Sequence, residues 1–143
     1  MKIKILIILK IFLLIFFLTN NSHAKNNYFS DGLALFENKE FDKAKFKFEQ
    51  DLVFNPKSEN SYLYLSKIFN VQKKRKLEEK NLDAVILLNP KNEEAIYNLA
   101  KLKLANSDYL ESKKLTEKLL IICKNYCKPS KLLQIEINNS LKN

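Results

Sequence analysis

Laid on itself with a shift of 34 residues, the chain repeats. Leu52-Val53-Phe54-Asn55-Pro56-Lys57 falls on Ile86-Leu87-Leu88-Asn89-Pro90-Lys91, and a second shift brings Leu120-Ile121-Ile122-Cys123-Lys124 into the same register. Upstream, Tyr28, Tyr62 and Ile96 coincide, as do the small residues Gly32, Ser66 and Ala100. A period of this length means that one supersecondary unit is copied along the chain. Each copy is too small to bury its own apolar face and is completed by stacking on the next.

The unit is helical. Among 143 residues there is one glycine, Gly32, and there are three prolines, Pro56, Pro90 and Pro129. Sheets joined by tight turns need more turn residues than that. Between the prolines, apolar residues recur at three- and four-residue spacing, which predicts helices over 27–38, 41–54, 59–72, 76–88, 93–105 and 109–123. Asp108 and Glu111 have the spacing of a capping box at the start of the sixth. Glu93 and Glu94 fall in the first turn of the fifth, where the helix dipole favours acids. A seventh helix is expected from about Pro129 to Leu141, with Leu133, Ile137 and Leu141 as one stripe that covers the last exposed face.

Repeat one carries the fullest pattern: Tyr28, Gly32, Ala34, Phe36, Phe41, Ala44, Phe48 and Pro56. With these residues and this period, the chain from 25 to about 124 resembles the tetratricopeptide family. The resemblance implies an all-α fold in which antiparallel helix pairs stack as a short right-handed α-solenoid. Three repeats would span 25–58, 59–92 and 93–124, followed by a turn and a C-terminal capping helix over 125–143. Small residues on both helices of a pair let the backbones approach, and the proline ends each unit. The later repeats depart from the pattern. Glu78 replaces the small residue of the second helix in repeat two, so that helix is expected to pack poorly at its start. Repeat three has Ser112 and Thr116 at the small and aromatic positions and lacks the terminal proline. Asp31 stands where the family usually has leucine.

The N-terminus reads as an export signal. Lys2 and Lys4 form a basic start, Ile5 to Leu18 is apolar except for Lys10, and Ser22-His23-Ala24 offers small residues for cleavage. Residues 1–24 are therefore expected to be removed, leaving a chain that begins at Lys25 in the periplasm. The alternative is an uncleaved anchor that holds the same domain at the inner membrane, facing the periplasm. The apolar stretch is shorter than the roughly 20 residues of a full span. Formal charge is +9; after cleavage 22 basic and 16 acidic residues remain, a charge of +6. Lysine supplies nearly all of it, Arg75 being the only arginine, and nucleic-acid recognition favours arginine forks. Outside the cytoplasm, acidic proteins or an anionic membrane surface are the expected partners rather than DNA.

Catalytic chemistry finds few residues to use. The only histidine, His23, lies in the segment to be removed, and one glycine cannot make a phosphate-cradling loop. No metal or cofactor is expected. Glu78-Glu79 and Glu93-Glu94 read as solvated faces, and Lys73-Lys74-Arg75-Lys76 as a solvated turn, with a basic docking patch as its alternative. Cys123 and Cys127 match neither a paired zinc motif nor a haem-attachment motif; in an oxidising compartment a disulfide between them is expected.

The resemblance places a partner site on the concave face formed by the first helices. One stripe on each would face inward: Asn26, Phe29, Leu33 and Phe36; Asn60, Leu63, Lys67 and Asn70; Glu94, Tyr97, Lys101 and Leu104. The candidate groove residues are thus Phe29, Leu33, Phe36, Leu63, Lys67, Asn70, Tyr97, Lys101 and Leu104. Chaperone-binding members of the family clamp a terminal carboxylate with Lys and Asn. The matching positions here are Phe29, Leu33, Glu94 and Asn98, so that function is not implied. An apolar, aromatic floor with two lysines suits an amphipathic or acidic partner segment. Either the seventh helix or a second copy is the alternative occupant of the groove. The expected function is a protein-binding scaffold without enzymatic activity, with a membrane-docked assembly subunit as the alternative.

Overall fold

The computed structural model of the protein describes residues 27–142. Residues 1–26, with the expected export signal, His23 and Asn26, lie outside the described residues. Within them are seven helices: α1 (Tyr28–Glu37), α2 (Phe41–Phe54), α3 (Glu59–Val71), α4 (Arg75–Leu88), α5 (Glu93–Ala105), α6 (Tyr109–Ile122) and α7 (Cys127–Ser140). All bounds lie within two residues of those the spacing predicts. The largest difference is at α7, which starts at Cys127, so Pro129 occupies the third helical position. Its missing N–H is harmless there, because the first-turn amides have no intrahelical acceptor.

Helices α1 and α2, α3 and α4, and α5 and α6 pack as antiparallel pairs. The pairs are joined where α2 meets α3 and α4 meets α5, and α7 lies along α6 with a smaller contact to α5. It closes the end of the array as the next first helix would. The α6–α7 turn is tied twice. Cys123 and Cys127 form a disulfide with Cα atoms 5.2 Å apart. The Glu93 carboxylate accepts the backbone N–H groups of Lys124, Asn125 and Tyr126, each at 2.9 Å. These donors, Tyr126 foremost, hold the Glu93 carboxyl below its usual range.

One turn geometry joins the helices of every pair. Lys39, Lys73 and Ser107, spaced 34 residues apart, have φ of 61°, 57° and 62°. In each turn the amide of this residue reaches back three carbonyls and the next amide reaches back five: Lys39 to Phe36 and Glu40 to Leu35, Lys73 to Asn70 and Lys74 to Phe69, Ser107 to Leu104 and Asp108 to Lys103. This is a Schellman motif, which satisfies the free carbonyls at a helix end. It usually employs glycine, and none of the three residues is one. The sequence reading placed these turns by the break in periodicity, and with no glycine at them their left-handed geometry was not legible.

The core has two parts. Around repeat one it is aromatic: Phe48, Ile68 and Phe69 are buried with Ala44 and Leu65, and Phe29, Phe36, Phe41 and Tyr64 pack against them. Further along it is aliphatic, built from Leu82, Val85, Ile96, Leu99, Leu119, Leu133 and Ile137. Gly32 sits where this scheme requires no side chain. A Cβ there would lie 2.7 Å from the Phe48 ring, too close for carbon contact.

Three departures from the repeat pattern are accommodated. Asp31 pairs with Lys47 at 3.3 Å. Ser112 and Thr116 are fully buried, and their hydroxyls donate to the carbonyls of Ala100 (2.7 Å) and Ser112 (2.8 Å). The expectation for Glu78 is corrected. It is neither solvated nor poorly packed but 4% exposed within a close α3–α4 contact. Its methylenes fill the space that Ala44 fills in repeat one, and its carboxylate accepts from Asn70 Nδ2 at 2.8 Å.

Candidate functional site

A cleft of about 710 Å³ opens between the C-terminal half of α3 and the length of α5 and reaches Phe36 at the end of α1. Helix α3 contributes Ser66, Lys67, Asn70 and Val71; the following turn and α4 contribute Lys73, Arg75 and Glu78. The α5 wall is Glu94, Asn98, Lys101, Leu102 and Ala105. Positions 94, 98, 101 and 105 advance by four, three and four residues and so make one helical face. No α7 residue lines the cleft.

Four cations and two carboxylates line it. Lys67 Nζ pairs with Glu94 Oε1 at 2.8 Å and lies 4.6 Å from the centre of the Tyr64 ring. Lys101 Nζ lies 5.7 Å from the centre of the Tyr97 ring. Arg75 Nη1 donates to Asn106 Oδ1 at 2.9 Å. Burial pushes the Glu78 carboxyl above its usual range, against the opposing pull of Asn70, Lys101 and Arg75. Both carboxylates already have partners, Asn70 for Glu78 and Lys67 for Glu94. Four cations against two carboxylates leave the cleft a formal excess of two positive charges. Among the described residues no group of three or more His, Cys, Asp or Glu could hold a metal ion.

The structure brings together four of the nine residues that the sequence singled out: Phe36, Lys67, Asn70 and Lys101. The other five do not line the cleft. Leu63 is 6% exposed and belongs to the aliphatic core. Phe29 packs on Phe48 and Tyr64, with ring centroids 5.7 and 5.8 Å apart. Tyr97 packs on Tyr126 at 5.3 Å. Leu104 packs against the core, and Leu33 is half-buried. Phe29 and Tyr97 are thus half-buried against neighbouring rings and only Phe36 of the three aromatics faces the cleft. On α5 the open face is rotated by one residue, exposing Asn98 and Ala105 to the cleft in place of Tyr97 and Leu104. Sequence periodicity also missed Lys73, Arg75 and Glu78, because only the stacking of the pairs swings the start of α4 beside the first helices. The basic run that read as a solvated turn supplies two of the four cations.

No protein-family model matches the chain, and no curated protein matches its sequence. Solved structures do. The first tetratricopeptide domain of Spaghetti (RPAP3), bound to an HSP90 peptide, superposes with a TM-score of 0.74 at 17% identity, over 81% of this chain and 91% of that one. The translocator chaperone SycD of the Yersinia enterocolitica type III secretion system gives 0.75 at 11% identity, over 81% and 84%. The same chaperone in complex with a peptide of the translocator YopD gives 0.67 at 13%, over 85% and 92%. At these identities the likeness concerns the fold. The seven helices, their pairing and these superpositions together give the chain the fold of a tetratricopeptide-repeat domain.

Proposed function

We propose that the protein is a non-enzymatic adaptor of the bacterial cell envelope that seats an acidic segment of a partner protein in the cleft between α3 and α5. The observation that carries this reading is the charge balance of the cleft. Lys67, Lys73, Arg75 and Lys101 converge on it, while Glu78 and Glu94 are both engaged within the fold. An acidic segment gains the uncompensated charge, and the Phe36, Val71 and Leu102 surfaces receive its apolar side chains. Two of the superposed domains hold peptides, which supports a peptide ligand here. The ligand differs from that of the carboxylate-clamping members, whose residues are absent at the matching positions. The basic, apolar N-terminal sequence supports delivery to the periplasm, free or held at the inner membrane.

The binding reading is tested by selecting random peptides displayed on phage against the protein. Enrichment of acidic sequences whose capture weakens with salt, and fails with Lys101→Glu, is expected. Enrichment of sequences without acids, or capture unchanged by Lys101→Glu in a folded variant, would refute the cleft. The export reading is tested by the intact mass of the protein from its native host. A chain that begins at Lys25 is expected, and one that retains residues 1–24 would refute cleavage and leave the tethered form.

A further inference from the structure

The turns that join one repeat to the next all lie on one edge of the array, opposite the Schellman turns. On this edge the last turn of every second helix exposes an aliphatic residue at the same register: Val53 at 76%, Leu87 at 83% and Ile121 at 85% exposure. Phe54 and Leu88, one residue further on, are exposed as well. Each apolar tip is followed by exposed lysine: Lys57, then Lys91, then Lys124 and Lys128. Among the described residues no carboxylate lies within salt-bridge distance of these four ammonium groups. The acids nearest the edge face inward to other partners. Asp51 accepts from Ser61, Glu59 from Asn89 and Asn92, and Glu93 from three backbone amides. One turn back along the second helices stands a row of acids, Glu49, Asp83 and Glu117, which confines the surface to the final turn and the loop.

We propose that this edge docks on an anionic lipid bilayer, with Val53, Leu87 and Ile121 entering the headgroup–acyl boundary and the lysines lying among the phosphates. The surface is independent of the cleft. Three observations select a bilayer over a protein. The exposed apolar residues come one or two per repeat at a fixed interval along the edge, a spaced row rather than the clustered anchor of a protein hot spot. A long lysine stem beside each tip keeps its charge at headgroup level while its methylenes share the apolar boundary. Few apolar residues or few charges alone bind a membrane only marginally, and the edge combines both. The path of the chain agrees. Helix α1 starts at this edge, where the Tyr28 ring stacks on Phe54 with centroids 5.4 Å apart. In the sequence the apolar run 5–18 ends ten residues before Tyr28, a reach of about 35 Å at most.

The sequence contains no tryptophan, so a single introduced one reports its own surroundings. Ile121→Trp and Leu110→Trp place it at opposite exposed ends of α6, and the full chain is mixed with vesicles of phosphatidylcholine alone or with phosphatidylglycerol added. Emission from Ile121→Trp should move to shorter wavelength with the anionic vesicles only, and emission from Leu110→Trp should not move. Combining Ile121→Trp with Lys57→Glu, Lys91→Glu and Lys124→Glu should abolish the shift, and salt should weaken it. The contrast between the two ends separates docking of the edge from simple insertion of residues 5–18. Equal shifts at both ends, equal shifts with neutral vesicles, or no shift would overturn the proposal. So would short-wavelength emission from Ile121→Trp before vesicles are added. If dilution reversed that emission, the occupant would be a second copy; if not, the chain's own residues 5–18.

Discussion

The first and second repeats place different chemistry at one structural position. Ala44 in α2 and Glu78 in α4 stand 34 residues apart, and both are buried. In repeat one the neighbours close down on the small side chain, Phe48 packs against bare Gly32, and the aromatic rings of α1, α2 and α3 fill the interior. In repeat two the same space holds the two methylenes of a glutamate, whose carboxylate emerges at the cleft under Asn70. The position thus requires filled volume and satisfied polar atoms rather than an apolar residue as such. Repeat one is built for packing, and repeat two accepts a buried acid where the cleft opens.

The largest effects should come from the packed side of this comparison. Phe48→Ala empties a fully buried ring site and should cost about 3–5 kcal/mol in urea unfolding. A loss below about 1 kcal/mol would mean that the aromatic cluster is loosely packed. Gly32→Ala should come next. The added carbon meets the Phe48 ring, and overpacking of this kind costs about 1–3 kcal/mol, offset in part by the better helix propensity of alanine, about 1 kcal/mol. Ser66, at the same register in α3, hydrogen-bonds the Leu63 carbonyl of its own helix at 2.7 Å. Ser66→Ala removes that bond without a clash and should stay within about 0.5–1.5 kcal/mol. If Ser66→Ala proved the more costly of the two, the close approach at Gly32 would not be what sets the α1–α2 distance.

Most of the fold was legible because it follows from local periodicity. The 34-residue register, the small residues at 32, 66 and 100 and the capping acid Asp108, which accepts the Glu111 amide at 3.3 Å, are all written along the chain. The cleft was only partly legible. A helical-wheel argument treats each first helix alone, whereas the open face depends on how its neighbours rotate it. Hence Asn98 and Ala105 replaced Tyr97 and Leu104. Aromatic residues also gave a misleading signal. Phe29 and Leu63 look like a binding floor in the sequence, but Leu63 is buried in the aliphatic core and Phe29 is half-buried against Phe48 and Tyr64. Glu78 misled in the opposite direction, because its burial depends on an amide eight residues earlier.

Glu78→Gln keeps the acceptor for Asn70 and removes the buried charge. It should stabilise the protein at neutral pH by on the order of 1 kcal/mol. The sign with pH follows from the raised carboxyl. The fold favours the protonated acid, so the contribution of Glu78 is greatest below its ordinary value of 4.5 and is lost as pH rises through the higher folded value. The advantage of the Gln variant should therefore shrink as the solution is acidified. Glu93 acts in the opposite sense. Its contribution is present above 4.5 and is lost as pH falls through the depressed folded value. A Gln advantage that grew on acidification would break the assignment.

The smallest effects concern the turns, and they separate stability from binding. Lys39 and Lys73 occupy the same left-handed turn position, where a side chain costs energy that glycine avoids. Glycine also gains entropy in the unfolded chain, which cancels part of the benefit. Lys39→Gly and Lys73→Gly should each stabilise by about 0.5 kcal/mol, the balance of these two opposing effects. Their consequences for the cleft should differ. Lys39 lies outside it, and Lys73 is one of its four cations. Lys39→Gly should leave capture of acidic peptides unchanged, whereas Lys73→Gly should weaken it at low salt and less so at high salt. Equal gains in stability with unequal losses in capture would show that the second repeat keeps its strained lysine for the ligand rather than for the turn. Equal behaviour in both assays would remove Lys73 from the site and leave Lys67, Arg75 and Lys101 to supply its charge.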